Sequence, residues 1–156
     1  MKYVHEVLKQ KESSIWSIAP NDSVYNAIAK MADHAVGALL VVDKDPAYPG
    51  PSRDERHLVG IISERDYARK VILKNKQSQS IPVNEIMSRE VISVTSHVHI
   101  DECMRLMQTH HVRHLPVIDQ GRIIGVLSSR DLFSAIIADQ AQTIDHLEHY
   151  IRGEAL

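Results

Sequence analysis

The chain has 156 residues, 44% hydrophobic and 24% charged, with a net charge of −2. This balance excludes wholesale disorder, and the missing basic excess excludes a general nucleic-acid binder. The longest apolar run, residues 35–42 with Gly37 inside it, is far too short to span a membrane. Residues 1–6 lack the apolar core of a secretory signal. The lone Cys103 excludes an internal disulfide and a cysteine-based zinc site. A cytoplasmic protein is expected.

In chain order, a short helix is expected around Val4, Val7 and Leu8, then an apolar strand at 15–18. An amphipathic helix over 23–34 follows, with Val24, Ile28 and Met31 at helical spacing. Strands at 38–42 and 58–62 come next, separated by a loop at 44–56 that holds Pro46, Pro49, Gly50 and Pro51 and reads as exposed and mobile. A helix closes this half, and the polar run 74–81 reads as a linker.

The pattern then starts again. Residues 17–43 recur as 93–119, with identities at Ser17/Ser93, Met31/Met107, His34/His110, Val36/Val112, Leu39/Leu115, Val41/Val117 and Asp43/Asp119. At a shorter offset, Gly60-Ile61-Ile62-Ser63-Glu64-Arg65-Asp66 matches Gly125-Val126-Leu127-Ser128-Ser129-Arg130-Asp131. The lead-ins correspond too: Val4-His5-Glu6-Val7-Leu8 and Val83-Asn84-Glu85-Ile86-Met87. The second copy therefore predicts strands at 91–94, 115–118 and 123–127 and helices over 99–110 and past 129, with a tight turn at Asp119-Gln120-Gly121-Arg122. An apolar stripe continues through Phe133, Ile136, Ile137, Ile144, Leu147 and Ile151, which covers the chain's own faces or a second copy.

Two local features carry chemistry. Ser63 with Asp66, and Ser128 with Asp131, stand where a strand gives way to a helix, the pattern of a capping box. A carboxylate in the same place can also accept two hydrogen bonds from a vicinal diol. Arg65 and Arg130 precede these acids, in a first helical turn where a cation opposes the helix dipole and a nearby anion would offset the cost. Of ten histidines, His97, His99, His110, His111 and His114 cluster without metal-ligand spacing, so no metal site is expected. Cys103 reads as a buried small side chain, and no nucleophile–base pair, P-loop or other catalytic constellation is present, so no enzyme is expected.

The β-α-β-β-α order, the stretch Val112-Arg113-His114-Leu115-Pro116-Val117-Ile118-Asp119 and the two Gly-apolar-apolar-Ser-x-Arg-Asp segments resemble a tandem pair of cystathionine β-synthase (CBS) domains. The resemblance covers about residues 4–138. It implies an α/β (α+β) fold in which two β-α-β-β-α repeats pack by pseudo-twofold symmetry into one standalone Bateman module. Repeat one would span 1–78, with the N-terminal helix and the inserted loop 44–56, repeat two 79–138, and a helical extension 139–156. It further implies a signal-transducing regulatory module that binds AMP, ADP, ATP, NAD or S-adenosylmethionine in clefts between the repeats. Such a module forms a homodimer and controls an unknown partner protein in trans, with no nucleic acid or membrane involved. A ligand-free structural or dimerisation module is the alternative.

By the same resemblance, Asp66 and Asp131 hold ribose beside Ser63 and Ser128, and Arg65 and Arg130 stand near phosphate. Arg113 and His114 reach phosphates where the first copy has Gly37 and Ala38, so the two clefts should differ. Ile15, Ile18, Ser88, Val91, Val94 and Pro116 would frame the adenine, with Ile62 and Leu127 closing the slot.

Overall fold

A computed structural model describes residues 2–11, 14–44 and 52–153. The elements follow the duplication. They are α1 (Val4–Gln10), β1 (Ser17–Ile18), α2 (Val24–His34), β2 (Ala38–Val42), β3 (Leu58–Ser63), α3 (Glu64–Tyr67), α4 (Ile100–His110), β4 (His114–Asp119), β5 (Arg122–Ser128) and α5 (Ser129–Ile151). A π-helical turn at Ala68–Ile72 extends α3, and a 3-10 turn at Val83–Glu85 begins the second half. β1, β2 and β3 form one sheet, β1 parallel and β3 antiparallel to β2, while β4 and β5 form an antiparallel pair.

Local chemistry sets these boundaries. Ser23 caps α2 by accepting the Asn26 amide at 3.1 Å. α2 and α4 each end on a left-handed residue, Ala35 and His111, which stand at corresponding places in the two copies. The β4–β5 hairpin turns on Gln120 and Gly121, both at positive φ, as a two-residue primed turn requires.

The strands bury both faces, and period-2 alternation divides the work. Leu39, Val41 and Ile62 face a core shared with α2, and Leu115, Val117 and Leu127 face one shared with α4. The intervening residues Leu40, Val42, Ile61, Ile118 and Val126 form a third cluster where the two sheets meet, with Ile15 and with Leu58 and Ile123, which a register shift in each hairpin turns to the same side. The two halves thus keep separate cores and join along an apolar seam.

The lead-ins are exchanged. Val4 and Val7 of α1 pack into the second half's core, whereas Val83, Ile86 and Met87 pack into the first half's. Each crossing passes over a glycine. A Cβ on Gly60 would lie 2.7 Å from Met87 Sδ and 2.8 Å from the Ser88 carbonyl oxygen, and one on Gly125 would lie 2.8 Å from Leu8 Cδ2. The methionine and the leucine are corresponding residues of the two lead-ins, so the paired glycines record a paired close approach. Backbone cannot step aside as a leucine tip can. Gly60→Ala is therefore expected to destabilise the fold by about 1–3 kcal/mol, and Gly125→Ala by less. Thermal unfolding checks this at roughly 2–4 °C per kcal/mol; equal losses for the two variants would contradict the crossing.

Two expectations need correction. No regular strand forms at 91–94: a single parallel bridge joins Val94 to Val117. Val94 donates to the Pro116 carbonyl at 3.0 Å and accepts from the Ile118 amide at 2.8 Å. The next ladder bond back toward Ile92 would need an N–H on residue 116, which proline lacks. The first strand of the first half is also shorter than 15–18. Helix α5 runs through 138 without a break.

The inserted loop falls mostly at residues 45–51, outside the described residues. Its far end docks on the other half: the Glu55 amide donates to the Gly121 carbonyl at 2.9 Å, and the Ile123 amide to the Arg53 carbonyl at 2.7 Å.

Candidate functional site

Two clefts open along the seam. The first, about 410 Å³, takes Ser63, Arg65 and Asp66 from the end of β3 and the start of α3, and Ser88, Val91 and Ile92 from the approach to the second half. The second, about 480 Å³, takes Ser128, Arg130 and Asp131 from the end of β5 and the start of α5, and Lys11, Ser14 and Trp16 from the approach to the first half. Each acid thus faces the opposite half's lead-in. The exchange is fixed in the first cleft by the Ile61–Ser88 backbone pair, bonded in both directions at 3.0 and 2.9 Å.

Both Ser–Asp pairs form capping boxes. The Asp66 amide donates to Ser63 Oγ at 3.2 Å, and the Ser63 amide returns to Asp66 Oδ2 at 3.0 Å. The same bonds at Ser128 and Asp131 measure 3.1 and 2.8 Å. The serine serves the helix while the aspartate, still capping, lines the cleft. Each acid also meets a lysine. Lys70 lies 3.1 Å from Asp66 Oδ1 and donates to the Ile86 carbonyl at 2.8 Å. Lys11 donates to Asp131 Oδ2 and to the Val126 carbonyl, both at 2.7 Å. Burial raises the Asp131 carboxyl, but Lys11 and the Ser128 amide outweigh it and hold the group below its ordinary range.

Arg113 and His114 line both clefts. The His114 ring stands 3.6 Å from where a Cβ on Gly37 would be, so that glycine leaves it room. Burial pushes the His114 pKa down to about 4, with Lys11 and Arg113 adding to the effect and Asp131 opposing it. The ring is neutral at pH 7. Arg65 reaches the His111 carbonyl at 3.4 Å.

The other expected slot residues separate. Ser88, Val91 and Pro116 line the first cleft. Ile18, Ile62, Val94 and Leu127 are buried in the cores, and Ile15 packs in the seam cluster, so none of these five is brought to either cleft.

The residues that distinguish the clefts were not anticipated. Lys11 stands three places after Leu8, and Glu90 three after Met87. Corresponding lead-in positions therefore give a cation to the second cleft and an anion to the first. The lead-in match held that signal. The only tryptophan, Trp16, lines the second cleft and stacks on His34 with ring centroids 3.4 Å apart. Cys103 is buried and its pKa is pushed up to about 11 by desolvation, leaving an inert thiol. Among the described residues no three His, Cys, Asp or Glu side chains gather as a metal ion would need, and no helix is long and apolar enough to cross a membrane.

The family model described as CBS domain matches residues 11–73 and 83–138. The chain belongs to the CBS-domain family. Among similar proteins, the mitochondrial CBS domain-containing protein CBSX3 of Arabidopsis thaliana is 36% identical over 157 residues, covering 96% of this chain and 72% of that protein. A Burkholderia ambifaria protein with CBS domains, assigned to signal transduction, superposes with a TM-score of 0.80 at 44% identity, over 89% of this chain and 96% of that one. The CBS domain protein PAE2072 of Pyrobaculum aerophilum, solved in complex with AMP, superposes with a TM-score of 0.72 at 25% identity, over 90% and 99% of the two chains. The two halves are thus CBS repeats, and the mixed α/β fold is the family's.

Proposed function

We propose that this CBS pair is a signal-transducing regulatory module rather than an enzyme. It binds an adenosine-containing ligand, of the class AMP, ADP, ATP, NAD or S-adenosylmethionine, in the clefts between its repeats. It works as a homodimer and relays occupancy to a partner protein in trans. The observation that carries this reading is the reciprocal construction of the clefts, each with a capped aspartate beside an arginine and facing the other repeat's lead-in. Asp66 and Asp131 suit the ribose hydroxyls. Arg65, Arg130 and Arg113 suit phosphate, and the walls formed by Val91, Ile92 and Pro116, or by Trp16, suit the adenine. AMP in the Pyrobaculum relative supports the ligand class.

Lys11 makes the second cleft the better site for a polyphosphate, while Glu90 favours a less charged ligand in the first. A ligand-free structural or dimerisation module is the second reading, favoured by the Lys11–Asp131 and Lys70–Asp66 ion pairs that already occupy both acids.

Calorimetry with adenosine, AMP and ATP tests the choice. Arg113→Ala is expected to weaken ATP about tenfold, through a charge-assisted bond worth about 1.5 kcal/mol or more, and to leave adenosine nearly unchanged. Equal losses for all three ligands would remove Arg113 from the phosphate role. No binding heat with any of them on the folded wild-type protein would favour the second reading.

A further inference from the structure

Helix α5 leaves the body of the protein. Leu132 and Ala135, in its first turns, are buried against the second repeat's core, but residues 140–148 are exposed throughout. A helical segment of this length without tertiary support is marginal in water. Its exposed apolar side chains are nonetheless ordered: Phe133, Ile137, Ile144, Leu147 and Ile151 are 56–81% exposed. With Gln140 they fall at alternating steps of four and three residues from 133 to 151, which is a heptad seam and not the wider stripe of a helix lying on its own domain.

We infer that α5 pairs with α5 of a second copy as a parallel, in-register, two-stranded coiled coil. Residue choice along the seam selects this occupant. The a positions, Ile137, Ile144 and Ile151, are all isoleucine, and the d positions are Phe133, Gln140 and Leu147. β-Branched a with leucine at d, the pairing of Ile144 with Leu147, favours two parallel strands. Gln140 fixes the register: parallel pairing sets the two Gln140 amides opposite each other, where they hydrogen-bond, while antiparallel pairing buries each against an apolar neighbour. The flanking g and e positions set Thr143 against Glu148 of the second copy, so no like charges meet there. The seam is only about 27 Å long at 1.5 Å per residue, so it adds to a dimer held elsewhere as well. The inference rests on the homodimer proposed above and is independent of the nucleotide reading.

Cysteine cross-linking of the full chain tests it, since Cys103 is buried and does not compete. Leu147→Cys is expected to give a 147–147 disulfide in the majority of chains under mild oxidation, and Gln142→Cys, on the outer face, is not. Adding Ile144→Asp to Leu147→Cys is expected to abolish the cross-link while circular dichroism shows the repeats still folded, because both sites are exposed on the single chain. Light scattering of the wild-type protein supplies the second readout, with about 35 kDa expected, twice the 17.6 kDa chain. A dimer whose Leu147→Cys variant does not cross-link, or cross-links no better than Gln142→Cys, overturns the coiled coil while sparing the dimer. A monomeric mass at all concentrations overturns both.

Discussion

Asp131→Asn is expected to weaken AMP binding in the second cleft by tenfold or more, while the first cleft keeps its affinity. In the free protein Asp131 accepts from Lys11 and from the Ser128 amide. A ribose diol would add two charge-assisted bonds of roughly 1.5–3 kcal/mol each, less the cost of loosening Lys11. Even half of one such bond surviving that exchange, together with the amide's weaker acceptance, brings the loss to about 1.4 kcal/mol, which is tenfold. Asparagine retains an oxygen for the Ser128 cap, so the helix start is disturbed little. Asp66→Asn is the reciprocal control and should affect the first cleft alone. Calorimetry on both variants, with circular dichroism to confirm the fold, separates the sites. Unchanged AMP affinity in folded Asp131→Asn would remove that residue from ligand binding.

The second large effect concerns acid stability. His114 is held at a pKa of about 4 by burial, with Lys11 and Arg113 nearby, against about 6.5 in an unfolded chain. As pH falls through 6.5 the unfolded chain takes up a proton at this position and the folded chain does not. Stability is therefore lost between about pH 6.5 and 4 and levels off below. A gap of this size corresponds to about 3 kcal/mol at full effect, and the ring's partial exposure reduces it to about 2 kcal/mol. His114→Gln removes the titration. Relative to wild type at pH 7, the variant should gain about 2 kcal/mol by pH 4, read from urea unfolding at both pH values. Parallel pH profiles for the two proteins would contradict the burial argument.

How far these features were legible in the sequence differs from element to element. α2 and α4 were readable almost to the residue, because Ser23 and His99 stand at their caps and Val24, Ile28 and Met31, or Ile100 and Met107, mark the buried face. The turn at Gln120-Gly121 and both capping boxes followed from local chemistry in the same way. The missing strand at 91–94 was harder to foresee, because it depends on Pro116 across the sheet rather than on any residue in the run itself. In the first repeat Leu40 occupies the corresponding place and donates to the Trp16 carbonyl at 3.3 Å. There a short strand forms, while in the second repeat Val91 and Ile92 are left to line a cleft.

The exchange of lead-ins was not legible at all. Aligning Val4-Val7-Leu8 with Val83-Ile86-Met87 shows that they are equivalent, but equivalent segments pack equally well on their own repeat or on the other. The packing decides it, with the Ile61–Ser88 backbone pair and the close approaches at Gly60 and Gly125. Ile18 and Val94, expected at an adenine slot, lie in the cores of their own repeats, while Trp16, Lys11 and Glu90 reach the clefts. From sequence, Arg113 and His114 belong to one cleft. They stand between the two, and the asymmetry comes instead from Lys11 in the second cleft and Glu90 at the corresponding position in the first.

The central claim is that the two reciprocal clefts bind adenosine nucleotides through Asp66 and Asp131. Native mass spectrometry of the folded chain with AMP, ADP, ATP or NAD added tests it most directly. A saturable nucleotide adduct is expected on the wild-type chain, with its titration midpoint moved tenfold or more to higher concentration when Asp66→Asn and Asp131→Asn are combined. No adduct with any of the four, or one that persists undiminished in the folded double variant, would contradict it.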